Sequence, residues 1–171
     1  MARVFVAVGS NIDPERNVRA AVRALARRTR VVAISTIYAT APLRRHEQAT
    51  FYNGVVEIET GIPPRELRSE VLRCIEAQLG RVRTGDRWAA RTIDLDIAVY
   101  NDLVISDSDL QIPDPDIPRR AFLAVPLAEL APDLVLPGSG ERLSEIAAAF
   151  DDHDMDPLPE YTQSLQEEIR T

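Results

Sequence analysis

Arg3-Val4-Phe5-Val6-Ala7-Val8-Gly9-Ser10-Asn11-Ile12-Asp13-Pro14 is the stretch on which the fold turns. Residues 3–8 place apolar side chains on both faces, the pattern of a central strand covered on two sides. Gly9-Ser10-Asn11 makes the turn, and Asp13-Pro14 supplies an N-cap followed by proline at the first helical position. Val18, Ala21, Val22, Leu25 and Ala26 then follow at helical spacing. The turn has one glycine and no G-x-G-x-x-G, which counts against a dinucleotide-binding fold. Farther along, residues 31–38 and 51–59 read as strands. Pro63-Pro64 opens a second helix in which Leu67, Val71, Ile75 and Leu79 recur every four residues, and Gly80 stops it. Residues 92–100 read as another strand, with Asn101-Asp102 turning into Leu103-Val104-Ile105. Pro113, Pro115 and Pro118 break the chain into a loop, and short helices are expected at 121–130 and 141–150. Strand, helix, strand, strand, helix, strand predicts an α+β fold. It is a ferredoxin-like antiparallel sheet with helices packed on its faces, in three layers α-β-α. The expected organisation is a single domain over residues 1–150 and an acidic C-terminal extension over 151–171, mobile or loosely docked.

With 171 residues, 45% of them hydrophobic and 27% charged, the chain has the composition of a soluble globular protein with a real core. No apolar run is long enough to span a bilayer and no cleavable leader is evident, so a cytoplasmic location without membrane partners is expected. Cys74 is the only cysteine, which excludes an internal disulfide and a thiolate metal cluster, and His46 and His153 are too few for a histidine zinc site. All twenty basic residues are arginine. Without lysine there is no Walker-type phosphate lysine, no kinase-type strand lysine and no Schiff base. The net charge of -7 is carried largely by the seven acids after residue 150, set against Arg170 alone. The remaining 20 acids and 19 arginines nearly cancel, which argues against nucleic acid as a partner.

The strongest chemical signal is Thr92-Ile93-Asp94-Leu95-Asp96-Ile97. On a strand Asp94 and Asp96 share one face, while Ile93, Leu95 and Ile97 take the face a core wants. Two carboxylates so placed repel unless something positive lies between them, and magnesium, completed by substrate phosphates, is the natural occupant. An isolated D-x-D more often simply faces water; its neighbours change the reading. Residues 81–91 hold Arg81, Arg83, Arg87 and Arg91 against the single acid Asp86, with Trp88 offering a flat face to a base or a cation. An arginine-rich loop of this length, abutting paired carboxylates, is what a magnesium-polyphosphate ligand needs, and it has the means to close over one. On the strand before, Asn53 can offer donor and acceptor to a heterocycle edge with Phe51 beside it, although an asparagine at the edge of the core is the plainer reading. Glu76 and Arg73 read as a surface ion pair, Cys74 as a helix core residue, and His46 as solvated.

These pieces, taken together, resemble the 6-hydroxymethyl-7,8-dihydropterin pyrophosphokinase family. The resemblance runs in order through Val8-Gly9-Ser10-Asn11, Thr40-Ala41-Pro42-Leu43, Phe51-Tyr52-Asn53, Ile75-Glu76 and Leu79-Gly80-Arg81-Val82-Arg83. It continues through Arg87-Trp88, Arg91 to Ile97, Ile112-Pro113, Arg120-Ala121-Phe122 and Val125-Pro126-Leu127, over roughly residues 3 to 138. The run from Arg87 to Ile97 is the most specific part. The resemblance implies that Asp94 and Asp96 hold two magnesium ions bridging the phosphates of ATP. The hydroxymethyl oxygen of the pterin then attacks the β-phosphorus and AMP leaves, as a step of folate biosynthesis. Arg81, Arg83, Arg87 and Arg91, with Arg120, would neutralise the transferring group, Arg81 and Arg91 at the reacting phosphate. Glu76, Trp88, Ile97 and Asp114 would belong to the nucleotide site. The pterin would lie between Phe51 and Phe122, read by Asn53 and by the chain at Thr40, Ala41 and Leu43. The partners implied are small molecules alone, on a monomer or weak homodimer.

The chain also departs from the family pattern. Asp114 stands where members commonly carry histidine, Ala41 replaces a frequent proline, Arg44 and Arg45 lie where a glycine-containing loop is usual, and Arg73 replaces a glutamine of some members. These leave open a paralogue acting on another hydroxymethyl heterocycle, or a non-catalytic module that binds ATP and pterin.

Overall fold

The structure is a computed structural model that describes residues 1–41, 49–86 and 89–171. The apolar run becomes β1 (Ala2–Ser10), in which Val4, Phe5 and Val6 are fully buried. It pairs antiparallel with β4 (Phe51–Thr60) on one edge and β5 (Asp94–Tyr100) on the other. β4 is long enough to pair along its far edge first with β2 (Arg30–Ile34) and then with β3 (Tyr38–Thr40). Outside β3 lies β8 (Asp156–Pro157), which among the described residues completes a six-stranded sheet in the order β5-β1-β4-β3-β8, with β2 also on β4.

Side chains alternate across this sheet and two cores result. Val4, Val6, Val8, Val56, Ile58, Leu95 and Ile97 face α1 (Pro14–Arg28) and a long helix over residues 64–78. Phe5, Val55 and Val99 face α4 (Ala121–Leu130) and α5 (Leu143–Ala148). Helices thus cover both faces, the three layers that the element order predicts. A β-bulge interrupts the β1–β5 ladder, where Phe5 faces Val99 but Val6 faces Ile97. The extra residue, Ala98, lets Val99 fill the second core while Asp94 and Asp96 remain on that same face.

The long helix is built in three parts: α2 (Pro64–Glu66), a π-helical stretch (Leu67–Leu72) and α3 (Arg73–Gln78). An apolar interval of four overshoots the α-helical turn of about 3.6 residues, and the looser π winding brings Leu67, Val71 and Ile75 back onto one face.

Several expectations are corrected. The strand at 31–38 divides in two because the Ser35 hydroxyl, rather than a backbone carbonyl, accepts the Val55 N–H at 2.9 Å. The turn at Asn101-Asp102 is present, and past it β6 (Ile105–Ser106) pairs with β7 (Gln111–Ile112) in a separate small sheet. Asp13 occupies the N-cap of α1 with φ 42 and makes no side-chain capping bond; Asn17 secures the turn by donating to the Ile12 carbonyl at 2.6 Å. Cys74 is half-buried, not a core residue. The segment after Asp151 is docked. Its helix α6 (Pro159–Arg170) buries Leu165 completely in the α1 core. Thr162 Oγ1 accepts the Ile37 N–H at 2.8 Å, and Glu168 is clamped by Arg19 and Arg23. A mostly polar sequence conceals this, because a few buried contacts and a short strand hold it.

Candidate functional site

The Gly9-Ser10-Asn11 turn does more than reverse the chain. Ser10 Oγ donates to the Thr92 carbonyl at 2.6 Å, and Asn11 Oδ1 accepts the Arg91 N–H at 2.7 Å. The end of β1 therefore fixes the approach to β5, and with it the directions of Arg91 and Asp94. Gly9 is needed for contact: a Cβ there would lie 2.8 Å from Asn53 Oδ1. Asn53 in turn donates to Thr40 Oγ1 at 2.6 Å.

Asp94 and Asp96 emerge side by side on the α4 face, as strand alternation requires. Asp94 is bracketed: Arg81 donates to one carboxylate oxygen at 2.7 Å and Arg91 to the other at 2.6 Å. Burial works to raise its pKa, but the Arg91 and Arg81 guanidiniums outweigh it and hold Asp94 below the usual carboxylate range. Among the described residues, Asp96 has only a long contact with Arg73, at 3.5 Å. Its carboxyl is pushed up to about 7, first by burial and then by the charge of Asp94. Solvent in the cleft still reaches 44% of its side chain, so water screens part of that repulsion. Asp114 follows the cis Ile112–Pro113 bond, its N–H donating to the Ala98 carbonyl at 2.8 Å. Burial, aided by the charges of Asp116 and Asp94, raises its pKa as well, against the pull of the Asp116 N–H.

Two adjoining cavities meet at these acids, and a third adjoins the second through Arg73. One, of about 230 Å³, is lined by Asn53, Arg91, Asp94, Asp96, Arg120 and Phe122 among others. A second, of about 360 Å³, lies beyond Asp96 and Asp114, which border both; Arg73 and Ile97 line it too. The third, about 460 Å³, is walled by Arg73, Glu76, Arg81 and Arg83. Glu76 is the hub of this wall and not half of a surface ion pair. At 2% exposure it accepts from Arg73 at 2.8 Å, Arg83 at 2.7 Å, Arg81 at 2.5 Å and the Leu95 N–H at 2.9 Å. Gly80, at φ 86, turns the chain back after α3, and this puts Arg81 and Arg83 against Glu76. Although burial lowers it, Asp94 and Glu76 together raise the pKa of Arg81.

Of the residues singled out from sequence, Asn53, Arg91, Asp94, Asp96, Asp114, Arg120 and Phe122 share the first cavity. Thr40 stands behind it, joined to Asn53. Phe51 is half-buried on the same sheet face, outside the cavity wall, and Ala41 is exposed at the end of β3. Leu43, Arg87 and Trp88 lie outside the described residues, as do Arg44, Arg45 and His46. The sequence reading passes over Asp116 and Arg68, which also line the cavities. Arg68 gives no signal there, because an α-helical wheel turns it away from Arg73.

A family model described as 7,8-dihydro-6-hydroxymethylpterin-pyrophosphokinase matches residues 5–132. The chain is 41% identical over 160 residues to the 2-amino-4-hydroxy-6-hydroxymethyldihydropteridine pyrophosphokinase of Pseudomonas aeruginosa, a match covering 92% of this chain and 97% of that protein. The protein of the same name from Haemophilus influenzae is 40% identical over 158 residues, covering 91% of this chain and 97% of its own. Among solved structures, the crystal structure of wild-type Plasmodium falciparum HPPK-DHPS superposes with a TM-score of 0.70 at 12% identity. That match covers 88% of this chain and 45% of the crystallised one, so this chain spans under half its length and the likeness speaks to fold alone.

Proposed function

The chain belongs to the 7,8-dihydro-6-hydroxymethylpterin-pyrophosphokinase family, and we propose that it transfers the pyrophosphoryl group of Mg-ATP to 6-hydroxymethyl-7,8-dihydropterin in folate biosynthesis. The observation that carries this reading is the position of Asp94 and Asp96. Asp96 borders both the cavity lined by Asn53 and Phe122 and the next one, lined by Arg68 and Arg73, while Asp94 lines the first and is held by Arg81 from the wall of the third. A heterocycle on one side and a polyphosphate on the other would meet at the acid pair. The hydroxymethyl oxygen bonds to the β-phosphorus, the bond from that phosphorus to the α-phosphate oxygen breaks, and AMP and a proton are released.

The residues fit magnesium. Asp94 and Asp96 offer hard carboxylate oxygens, and no group of three or more His, Cys, Asp or Glu able to hold a metal occurs among the described residues. Such a site suits a cation that takes one or two carboxylates and fills the rest with water and phosphate. Bound there, magnesium would neutralise phosphate charge; we infer two ions. Arg81 and Arg91 are already aimed at this point by Asp94, and Arg83 by Glu76. Their work is placement and charge compensation without rearrangement at the moment of reaction. Asn53, oriented by Thr40, would read the pterin edge, with Phe122 supplying an aromatic face. We further take the protein to work in the cytoplasm on these small molecules, in keeping with an acidic chain in which no described helix is long and apolar enough to cross a membrane.

The test is product analysis by mass spectrometry on protein mixed with ATP, magnesium and 6-hydroxymethyl-7,8-dihydropterin. AMP and a pterin pyrophosphate are expected in equal amounts and should vanish on chelation. ATP bound without AMP formed would reject the catalytic reading and favour a binding module.

A further inference from the structure

We propose that Arg68 is a nucleotide-binding residue, its guanidinium acting beside that of Arg73 on the anionic oxygens of the nucleotide; this rests on the pyrophosphokinase reading above. Among the described residues, Arg68 and Arg73 are the two that line both the 360 Å³ and the 460 Å³ cavities. The other arginines of those walls are committed: Arg73 to Glu76 and Asp96, Arg81 to Glu76 and Asp94, Arg83 to Glu76. Arg68 is half-buried, yet its guanidinium makes no hydrogen bond or ion pair with any described residue. Asp109 borders the same cavity but is held by Arg65, which also pairs with Asp107. A partly desolvated cation without a counter-charge is costly, and an anion entering the cavity offsets that cost.

The helix explains why two arginines five residues apart act together. In an unbroken α-helix they would point about 140° apart. Here the Arg73 N–H donates to the Arg68 carbonyl across the π-helical stretch, and the wider winding carries Arg73 round towards the face that Arg68 occupies. The four-residue apolar interval that sets this winding therefore also sets the cationic pair. Asp96 and Asp114 line the second cavity as well. Arginines and carboxylates lining one cavity suit a metal-bound nucleotide, with phosphate towards the former and cation towards the latter.

The experiment compares wild type with Arg68→Ala, Arg68→Lys and, as a charge-matched control on α1, Arg27→Ala. Steady-state kinetics are measured with ATP and pterin varied in turn, and a magnesium-bound non-hydrolysable ATP analogue is titrated by calorimetry. Losing one charge-assisted contact should raise KM for ATP and Kd for the analogue roughly tenfold in Arg68→Ala. Pterin KM should hold and kcat should stay within about twofold, the pattern of a contact made equally in ground and transition states. Arg68→Lys should recover part of the loss, and Arg27→Ala should show none. Unchanged nucleotide affinity in Arg68→Ala, or an equal loss in Arg27→Ala, overturns the proposal while a turning-over wild type leaves the pyrophosphokinase reading standing. A wild type that neither binds the analogue nor forms AMP overturns both.

Discussion

Asp94 and Asp96 are two residues apart and chemically alike, yet the fold treats them in opposite ways. Asp94 is satisfied by two arginines, whereas Asp96 meets mostly negative neighbours. Because Asp96 has a folded-state pKa of about 7, above the value of about 3.9 for an unfolded aspartate, the metal-free fold loses stability as pH rises from about 4 through about 7. The whole penalty is present above that range. Asp96→Asn should therefore raise the melting temperature of metal-free protein at pH 8, lose that advantage at pH 4, and abolish turnover at both. Calorimetry and the AMP assay check it; a lower melting temperature at pH 8 would refute the strain argument. Asp94→Asn should do the reverse and destabilise by about 1–3 kcal/mol, since it leaves Arg81 and Arg91 short of a counter-charge. Gly9→Ala should push Asn53 away from Thr40 and raise the pterin KM more than the ATP KM. Strand alternation makes the shared face of the two acids legible in the sequence. Their inequality is not, because beside the nearby Arg91 it needs Arg81, thirteen residues from Asp94 and brought there by Gly80 and Glu76.

Among the elements, α3 matters for what it holds more than for what it covers. Through Glu76 it ties the helix to the backbone of β5 and to the arginine segment that follows. Glu76→Ala removes the acid from three arginines and an amide at once, and should cost about 3–5 kcal/mol in urea denaturation, as breaking a buried pair does. Glu76→Gln, which keeps an acceptor for the Leu95 N–H, should cost less. The helix itself is plain from Pro63-Pro64 to Gly80. Its π winding is written in the four-residue interval, but a reading that assumes α geometry puts Glu76 on the surface and Arg68 out of play. The small β6–β7 sheet is equally hidden, since two-residue strands carry no periodicity to read.

At the level of the whole molecule, the three layers follow from the order of elements, and the sheet's interior strand follows from its apolar run. The docking of α6 does not, because the contacts that secure it come from α1, from Ile37 and from the edge of β3, all far away in sequence. Leu165→Ala should cost about 2–5 kcal/mol by opening a hole in the α1 core. Measured as a lower urea midpoint with kcat little changed, it would show α6 to be a structural part of the fold. The hydrogen bonds from Arg23 and Arg19 hold Glu168 below the usual carboxylate range, so its contribution persists above that range and fades as pH falls through its folded-state value. The strand β8 has a further consequence. It is the neighbour of β3, yet about 115 residues separate them, and it follows every other strand in chain order. During translation β3 therefore waits with a bare edge while the rest of the sheet assembles, in the condition that invites pairing with another nascent chain. Ribosomes stalled after Phe150 should expose that edge, and chaperones that bind unpaired strands should find this protein late in its synthesis rather than early.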